Sequence, residues 1–489
     1  MKPLDRIRDY VVWGRMAEGG MADVWLARHV DLHTPVIIKT LKLAGVDGDR
    51  SEVTRLYDEA RLEARIGSPR VVRVIDTGTH EGSPFLVKEY VDGLDLREVA
   101  RGRQLALGRT LPLWCVSEVA RQTAEALEAA HRVGIVHRDV KPSNVIGANL
   151  EFKLTDFGLA VHSQDGAKMA DRGGTLRFMA PETLRGEPID KRVDIFALGA
   201  TAYQLRYGFS PFPTLASTLN TATPRFPAAT SSPETAFQNM LSRMLAKSAD
   251  ARPTDLAEPR RLFSVLSSML RPALRAVRSG SAYRLGDVVL TIHEGDIATH
   301  RADAIVNSAN CEMRMQEGVG AALVGRGGEA IAREAAMHGD QPLGACVATT
   351  AGSLRARHVL HAVCAWQSTS CVGRAMQATL LTAAKLGERS LAVPALGTGA
   401  AGVPFEASAL SMVSGVCTHV LLGGSSIRRV SFVLADAAKL RAFRDVLESV
   451  LFEDAGLPPD VGLPAPPASV EDRTVRVDPS APRSQPSAA

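Results

Sequence analysis

The sequence predicts a multidomain fold: an α+β region first, then an α/β region whose sheet carries helices on both faces. Three observations carry this. Residues 1–100 read as short strands broken by one helix, residues 110–270 turn helical, and from Val288 apolar strands alternate with helical stretches. In the first region, the alternation in Ala22–Arg28 and the β-branched run Val36–Ile38 suit a pleated surface. Glu52–Arg65 is charged and helix-forming, and Ser68-Pro69 stops it, because the residue before a proline is pushed out of the helical region. Ser117–His131 sets Val119, Leu127 and several alanines at helical spacing, and Asp194–Tyr207 is mostly apolar. Arg260–Arg278 is amphipathic, with Leu262, Val265, Leu266 and Met269 on one face, and reads as a last helix running into a linker.

In the second region the expected strands are Val288–Ile292, Ala304–Val306, Val359–Val363, Ser390–Val393 and Arg429–Leu434. The expected helices are Gly320–Met337, Arg374–Lys385, Ala407–Leu421 and Ala438–Leu451. After that the chain turns to Pro, Ala and Ser with scattered charge, which buries little and reads as a disordered tail over 453–489.

Composition narrows the function classes. At 489 residues, two or three domains are expected. Hydrophobic residues make up 45% and charged residues 22%, a globular balance. The net charge of +4 is too small for this length to imply a nucleic-acid partner. No apolar run reaches the roughly 18 residues of a membrane span, and the charged segment Met1–Arg8 lacks a signal-peptide core. Six scattered cysteines without a CxxC read as reduced thiols, so a cytoplasmic protein is expected.

One cluster of motifs carries chemistry. His137-Arg138-Asp139-Val140-Lys141-Pro142-Ser143-Asn144 is followed by Asp156-Phe157-Gly158 and Ala180-Pro181-Glu182. Upstream stand a Gly-rich segment, Glu18-Gly19-Gly20-Met21, and Lys39 at the end of a β-branched strand. Five fixed residue types in the first motif arise by chance about (1/20)^5 of the time per position, or on the order of 10⁻⁴ over the chain. The ordered set resembles the protein kinase family over roughly residues 9–270. That resemblance implies a bilobal protein-kinase fold (α+β) within 1–270, with an N-lobe near 9–88 and a C-lobe near 94–270.

It also implies the use of ATP and Mg²⁺. Asp139 would accept the hydroxyl proton, Asn144 and Asp156 would be hard oxygen ligands for Mg²⁺, and Lys39 would meet the α/β-phosphates, held by Glu59. Ala17, Glu18, Gly19, Gly20, Val24, Glu89 and Val91 match the remaining ATP-binding positions. Lys141 and Thr175 match the serine/threonine branch, so a protein substrate modified on Ser or Thr is implied. Glu182 with Arg252, and Asp194 with Gly199, match structural positions of the large lobe. Arg138 matches a cation that awaits a phosphate on the activation segment, where Ser163 is the better switch and Thr175 the other hydroxyl. Several positions depart from the pattern. Ala17 and Ala22 stand where glycines are usual, Ile37 where a small residue meets adenine, Lys88 at the usually apolar gatekeeper slot, and Glu63 where an apolar residue is common. No catalytic group is lost, so an active kinase is expected, with a pseudokinase scaffold as the alternative.

The second region holds another set. Gly295-Asp296-Ile297 follows a strand, Asn307-Ser308-Ala309-Asn310 ends another, Gly318-Val319-Gly320 opens a helix, and Gly397-Thr398-Gly399-Ala400-Ala401-Gly402 follows a third strand. Glycine loops at strand ends that lead into helices offer backbone N–H groups to anions. Together these resemble the macro domain, an α/β three-layer fold that binds ADP-ribose, over 285–452, joined through a linker at 271–284. The resemblance implies Asp296 on the adenine amino group, Ile297 beside the base, and Asn310 on the distal ribose. Gly318, Val319 and Gly320 would form one phosphate loop, and Thr398, Gly399, Ala400, Ala401 and Gly402 the other. Asn307 reads as a buried brace rather than a ligand contact. Gly320 occupies the slot of an aspartate that activates water in one hydrolase branch, so binding of ADP-ribose, free or on a protein, is favoured over ADP-ribosyl hydrolysis. The expected whole is a serine/threonine kinase with a recruitment or sensing module.

Overall fold

The computed structural model describes residues 4–18, 22–41, 50–157, 175–220, 222–364 and 371–452. Its first sheet has six strands in the order Arg6–Ile7, Tyr10–Glu18, Ala22–His29, Pro35–Leu41, Ser83–Glu89, Val74–His80. All pairs are antiparallel, and Val36, Ile38, Phe85 and Val87 form one buried face with Trp25. The helix Arg50–Glu63 follows the fourth strand and buries Leu56 and Ala60 beside Leu86. The sheet sets the site through its register: Ala17 faces Val24, and Val24 faces Lys39, so the three lie in one row across neighbouring strands.

The large lobe forms on three apolar helices, Leu113–Arg132, Arg192–Tyr207 and Ala257–Leu270. Phe196, Phe237 and Phe263 are fully buried between its elements. The hairpin Val145–Ala148 with Glu151–Leu154 lies between the catalytic-loop motif and Asp156.

The second sheet has eight strands in the order Ala276–Ser279, Ala282–Leu285, Val288–Glu294, Arg429–Leu434, Ser390–Val393, Ala304–Ala309, His358–Val363, Cys346–Thr350. Its central pairs are parallel and its outer pairs antiparallel. Four differences from the sequence reading have local causes. The 271–284 segment, expected as a linker, carries the hairpin Ala276–Ser279 and Ala282–Leu285, turned at Gly280 with φ 61°, and Tyr283 and Leu285 bury alternate side chains. The expected helix Gly320–Met337 is two helices, Gly318–Gly327 and Ala330–Met337, because Gly328 takes φ 98° between them. The edge strand Cys346–Thr350 is half-exposed and lacks the apolar run that marks the central strands. Finally, the helix Phe405–Leu422 is long and apolar enough to cross a membrane by length and composition, although no contiguous apolar run was read there. Met412, Val413, Val416 and Cys417 are buried in the core of the α/β half, which accounts for that apolarity.

The two halves share a seam. Trp13 and Leu26 of the first sheet are buried in the same cluster as Leu343 of the second half. The approach is close: a Cβ on Gly14 would meet Leu343 Cδ1 at 2.9 Å. A buried carboxylate ties the other side. Asp92 accepts from the backbone N–H of Gly373 at 2.8 Å and of Arg374 at 3.0 Å, capping the helix Val372–Lys385. Tyr90 donates to Asp92, while Arg374 donates to the Gly93 carbonyl and pairs with Glu98. Burial raises the Asp92 carboxyl, and the bonds from Arg374, Gly373 and Tyr90 offset that desolvation only in part.

Asp92→Ala removes this cap and leaves two part-buried N–H groups without that acceptor. It is expected to destabilise the chain by about 1–3 kcal/mol. Denaturant unfolding checks it: an unchanged midpoint would mean the seam does not depend on the cap.

Candidate active site and nucleotide cleft

The catalytic-loop motif is shaped by one buried carboxylate. Asp194, fully buried on the helix Arg192–Tyr207, accepts from the backbone N–H of His137 at 2.9 Å and of Arg138 at 2.7 Å. His131 Nε2 lies 2.8 Å from the same group. Arg138 is held at φ 67°, a conformation that only surrounding bonds maintain in a side-chain-bearing residue. His137 accepts from the Asp139 N–H through Nδ1 at 3.2 Å, so its Nε2–H donates to the Thr155 carbonyl at 3.1 Å. Burial lowers the His137 pKa, keeping the ring neutral for both bonds. Asp139 is then held through one oxygen: Lys141 Nζ stands 2.7 Å and Asn144 Nδ2 3.0 Å from Oδ2. Its other oxygen, Oδ1, is buried with no partner.

Asp156, at φ 63°, carries two cations on a single oxygen. Lys39 Nζ lies 3.2 Å and Lys88 Nζ 3.1 Å from Oδ1. Desolvation would raise this carboxyl, but the two ammonium groups outweigh it and hold it well below the usual carboxylate range. Lys88 also pairs with Glu63 at 2.9 Å, the side chains being 4% and 0% exposed. Two departures from the expected apolar pattern, Lys88 and Glu63, are therefore one buried ion pair that links the helix Arg50–Glu63 to Asp156. Sequence reading took them separately because they stand 25 positions apart in the chain.

The row Ala17, Val24, Lys39 reaches this site through Lys39, and Glu89 and Val91 follow Lys88 on the connection between lobes. The Glu89 N–H donates to the Arg73 carbonyl at 2.8 Å, and the Val91 carbonyl accepts from Gly93 N–H at 2.9 Å. The Glu89 carboxylate pairs with Lys153. Gly19, Gly20 and Ser163, with the side chains of Glu59 and Thr175, lie outside the described residues. Arg252 meets Glu182 through two parallel bonds of 2.6 and 2.8 Å, a buried pair within the large lobe.

In the α/β half, a cleft of about 880 Å³ opens at the carboxyl ends of the central strands. It is lined by Asp296, Ile297, Asn310, Gly318, Val319, Thr398, Gly399, Ala400 and Ala401 among others. Asp296 Oδ1 caps the turn Ile297–Thr299 by accepting from Ala298 N–H at 2.9 Å, and its side chain stays half-exposed. Asn310 Oδ1 accepts from Arg314 N–H at 3.0 Å.

Two expected residues do not line the cleft. Gly320 is buried behind the first loop, where a Cβ would meet Met315 Cα at 3.0 Å, and Gly402 closes the second loop by donating to the Gly399 carbonyl at 2.9 Å. Asn307 is buried and bonds His361 at 3.2 Å, with the ring kept neutral by burial at about 4. Ser308, Arg314 and Lys439 line the cleft without having been anticipated. Ser308 sat inside a motif already singled out, and its Oγ accepts from the Gly397 N–H at 3.1 Å. Lys439 comes from the last helix, and only the fold brings it near.

The family model for the protein kinase domain matches residues 10–263. The chain belongs to the protein kinase family. The family model for the macro domain matches residues 306–412, so a macro domain follows the kinase domain. Serine/threonine-protein kinase PknB of Mycobacterium leprae is 36% identical over 202 residues, covering 40% of this chain and 32% of that protein. Serine/threonine-protein kinase PknL of Mycobacterium bovis is 37% identical over 207 residues, covering 42% and 50%. The chain thus spans a third to a half of the length of these curated relatives. The crystal structure of the M. tuberculosis PknI kinase domain aligns at 26% identity over 55% of this chain and 99% of that one, with a TM-score of 0.45. The fold is a bilobal kinase domain followed by an α/β macro domain.

The buried pair in the kinase domain has a stability consequence. Lys88→Met leaves Glu63 buried without its ammonium partner and is expected to cost about 3–5 kcal/mol. The double variant Lys88→Met with Glu63→Leu removes both charges and is expected to recover most of that loss. A double-mutant cycle by chemical unfolding measures it, and additive single effects would show that the two residues are not coupled.

Proposed function

We propose that this chain transfers the γ-phosphoryl group of ATP to serine or threonine hydroxyls of a protein substrate, and that its macro domain binds ADP-ribose, free or protein-linked, to recruit or sense. The observation that carries the first part is the half-occupied Asp139 carboxylate. Lys141 and Asn144 fix Oδ2, and Oδ1 is left as the acceptor for a substrate hydroxyl. Lys39 is the phosphate contact in this reading. The donor set suits Mg²⁺: Asp156 is held ionised, and Asn144 turns its amide nitrogen to Asp139, which leaves its oxygen for a hard cation. When bound, Mg²⁺ supplies charge neutralisation at the phosphates. The protein is taken as cytoplasmic, in keeping with six free cysteines.

Asp139→Asn is expected to lower phosphoryl transfer about 10²–10⁴-fold with the fold kept. Asp156→Asn is expected to abolish measurable transfer by weakening Mg²⁺ binding. Labelled ATP with a generic basic protein reads both. A wild-type chain that incorporates no phosphate with Mg²⁺ or Mn²⁺ would make the kinase domain a scaffold.

For the macro domain, Asp296 at the cleft edge and the two glycine loops support ADP-ribose binding. Gly320, packed against Met315, supports binding without turnover. Asp296→Ala is expected to weaken ADP-ribose about ten- to a hundred-fold by calorimetry, the worth of one charge-assisted hydrogen bond. Steady release of ADP-ribose from a modified protein would replace the binder with a hydrolase.

A further inference from the structure

Arg103 stands on the helix Leu96–Leu107 of the kinase domain and is 2% exposed. Its Nη2 donates across the seam to the carbonyls of Leu422 at 3.0 Å and Gly423 at 3.2 Å, at the end of the macro-domain helix Phe405–Leu422. Its Nε and Nη1 are buried and have no partner. Two polar atoms from the macro domain share that condition: Thr418 Oγ1 and His419 Nε2. All three side chains line one cavity of about 50 Å³, where leucines from both domains make up half of the other lining residues and Asn149 and Gln377 are among the rest.

The cavity lacks a counter-charge of its own. None of its lining residues is Asp or Glu. Arg109 adds a like charge near Arg103. Burial pushes the Cys115 thiol up to about 12, and burial with the nearby Arg103 charge holds His419 down at about 4, so both are neutral near pH 7. The two carbonyls at the helix end offer only partial negative charge. A buried guanidinium in this setting is uncompensated, and its open N–H groups have lost water without gaining a partner.

We propose that this cavity is a binding site for a small monocarboxylate of acetate or propionate size. Its carboxylate meets the open N–H groups of Arg103, with Thr418 and His419 as donors, and its alkyl end lies against the leucines. Size supports the choice. A water-sized group needs roughly 10–15 Å³ of such space, so about three to five non-hydrogen groups fit. The apolar wall disfavours dianions, whose second charge would be buried unpaired. Chloride answers the charge but leaves the apolar space unfilled. Because the walls come from both domains, the bound anion stabilises the docked arrangement by mass action.

The test uses the full chain in a chloride-free buffer at constant ionic strength. Sodium propionate is expected to raise the melting temperature saturably, and the neutral isostere propionamide is not. Ligand-observed NMR with ¹³C-propionate gives the affinity directly. Arg103→Met is expected to weaken propionate about ten- to a hundred-fold, the range for hydrogen bonds to a charged group. Since that variant also loses the two carbonyl bonds, Thr418→Val provides a milder second case with the volume kept, expected to weaken propionate several-fold. No saturable response to acetate or propionate in the wild-type chain overturns the proposal. So does an equal response to propionamide, or an affinity unchanged in both variants.

Discussion

The shape of the catalytic-loop motif depends on the Asp194 carboxylate. It is the only described group that accepts from the N–H groups of both His137 and Arg138, and it does so from a helix that is itself core. Arg138 sits in a backbone region that costs roughly 1–3 kcal/mol for a residue with a side chain, so the loop keeps this shape only while those bonds hold. The turn that follows aims Asp139 at Lys141 and Asn144. The chemistry attributed to Asp139 is thus fixed from below, by a residue that does not face the reacting groups.

Above the loop, the same logic is carried by charge. A kinase core usually builds its inner face from apolar side chains, and here Lys88 and Glu63 stand in that face. Either one alone would be a costly buried charge. As a pair they satisfy each other, and the lysine's second bond reaches Asp156. The Asp156 carboxylate is therefore balanced by two ammonium groups, and a divalent cation that binds it competes with both. Positive charge already assembled at this oxygen also favours the negative phosphates of a nucleotide.

What was legible in the sequence follows from how local the signal is. Asp139, Lys141, Asn144 and Asp156 lie in short motifs with fixed spacing, and the strands and helices around them carry clear periodicity. The cleft loops of the macro domain were legible for the same reason: Gly318 and Gly399 sit beside strand ends that the apolar runs mark. Gly320 was legible as a missing carboxylate but not as a packing glycine, since Met315 approaches it only in the fold. The hairpin at 276–285 was read, up to residue 284, as a linker because just two of its side chains, Tyr283 and Leu285, turn inward. The pairing of Lys88 with Glu63, and of Asp92 with the helix at Val372, joins residues whose separation carries no periodic signal. Such contacts are decided by tertiary packing alone.

The seam changes what the two domains can mean to each other. The segment Tyr90–Gly93 follows Glu89, contains Val91 and connects the kinase lobes, and its Asp92 also caps a macro-domain helix. Its backbone is committed from both sides: Gly93 N–H closes a turn on Val91, and the Gly93 carbonyl is taken by Arg374. A ligand in either cleft couples to the other only if it binds one arrangement of this segment better than another. If it does, the coupling is reciprocal. Its size is limited by the bonds that must break, a cap and a charge-assisted hydrogen bond or two, which amounts to about 1–3 kcal/mol each before compensation by water. Fusion through a flexible linker would give no such term. A shared core around Trp13 and Leu343 does, because displacement there exposes apolar surface as well as breaking bonds.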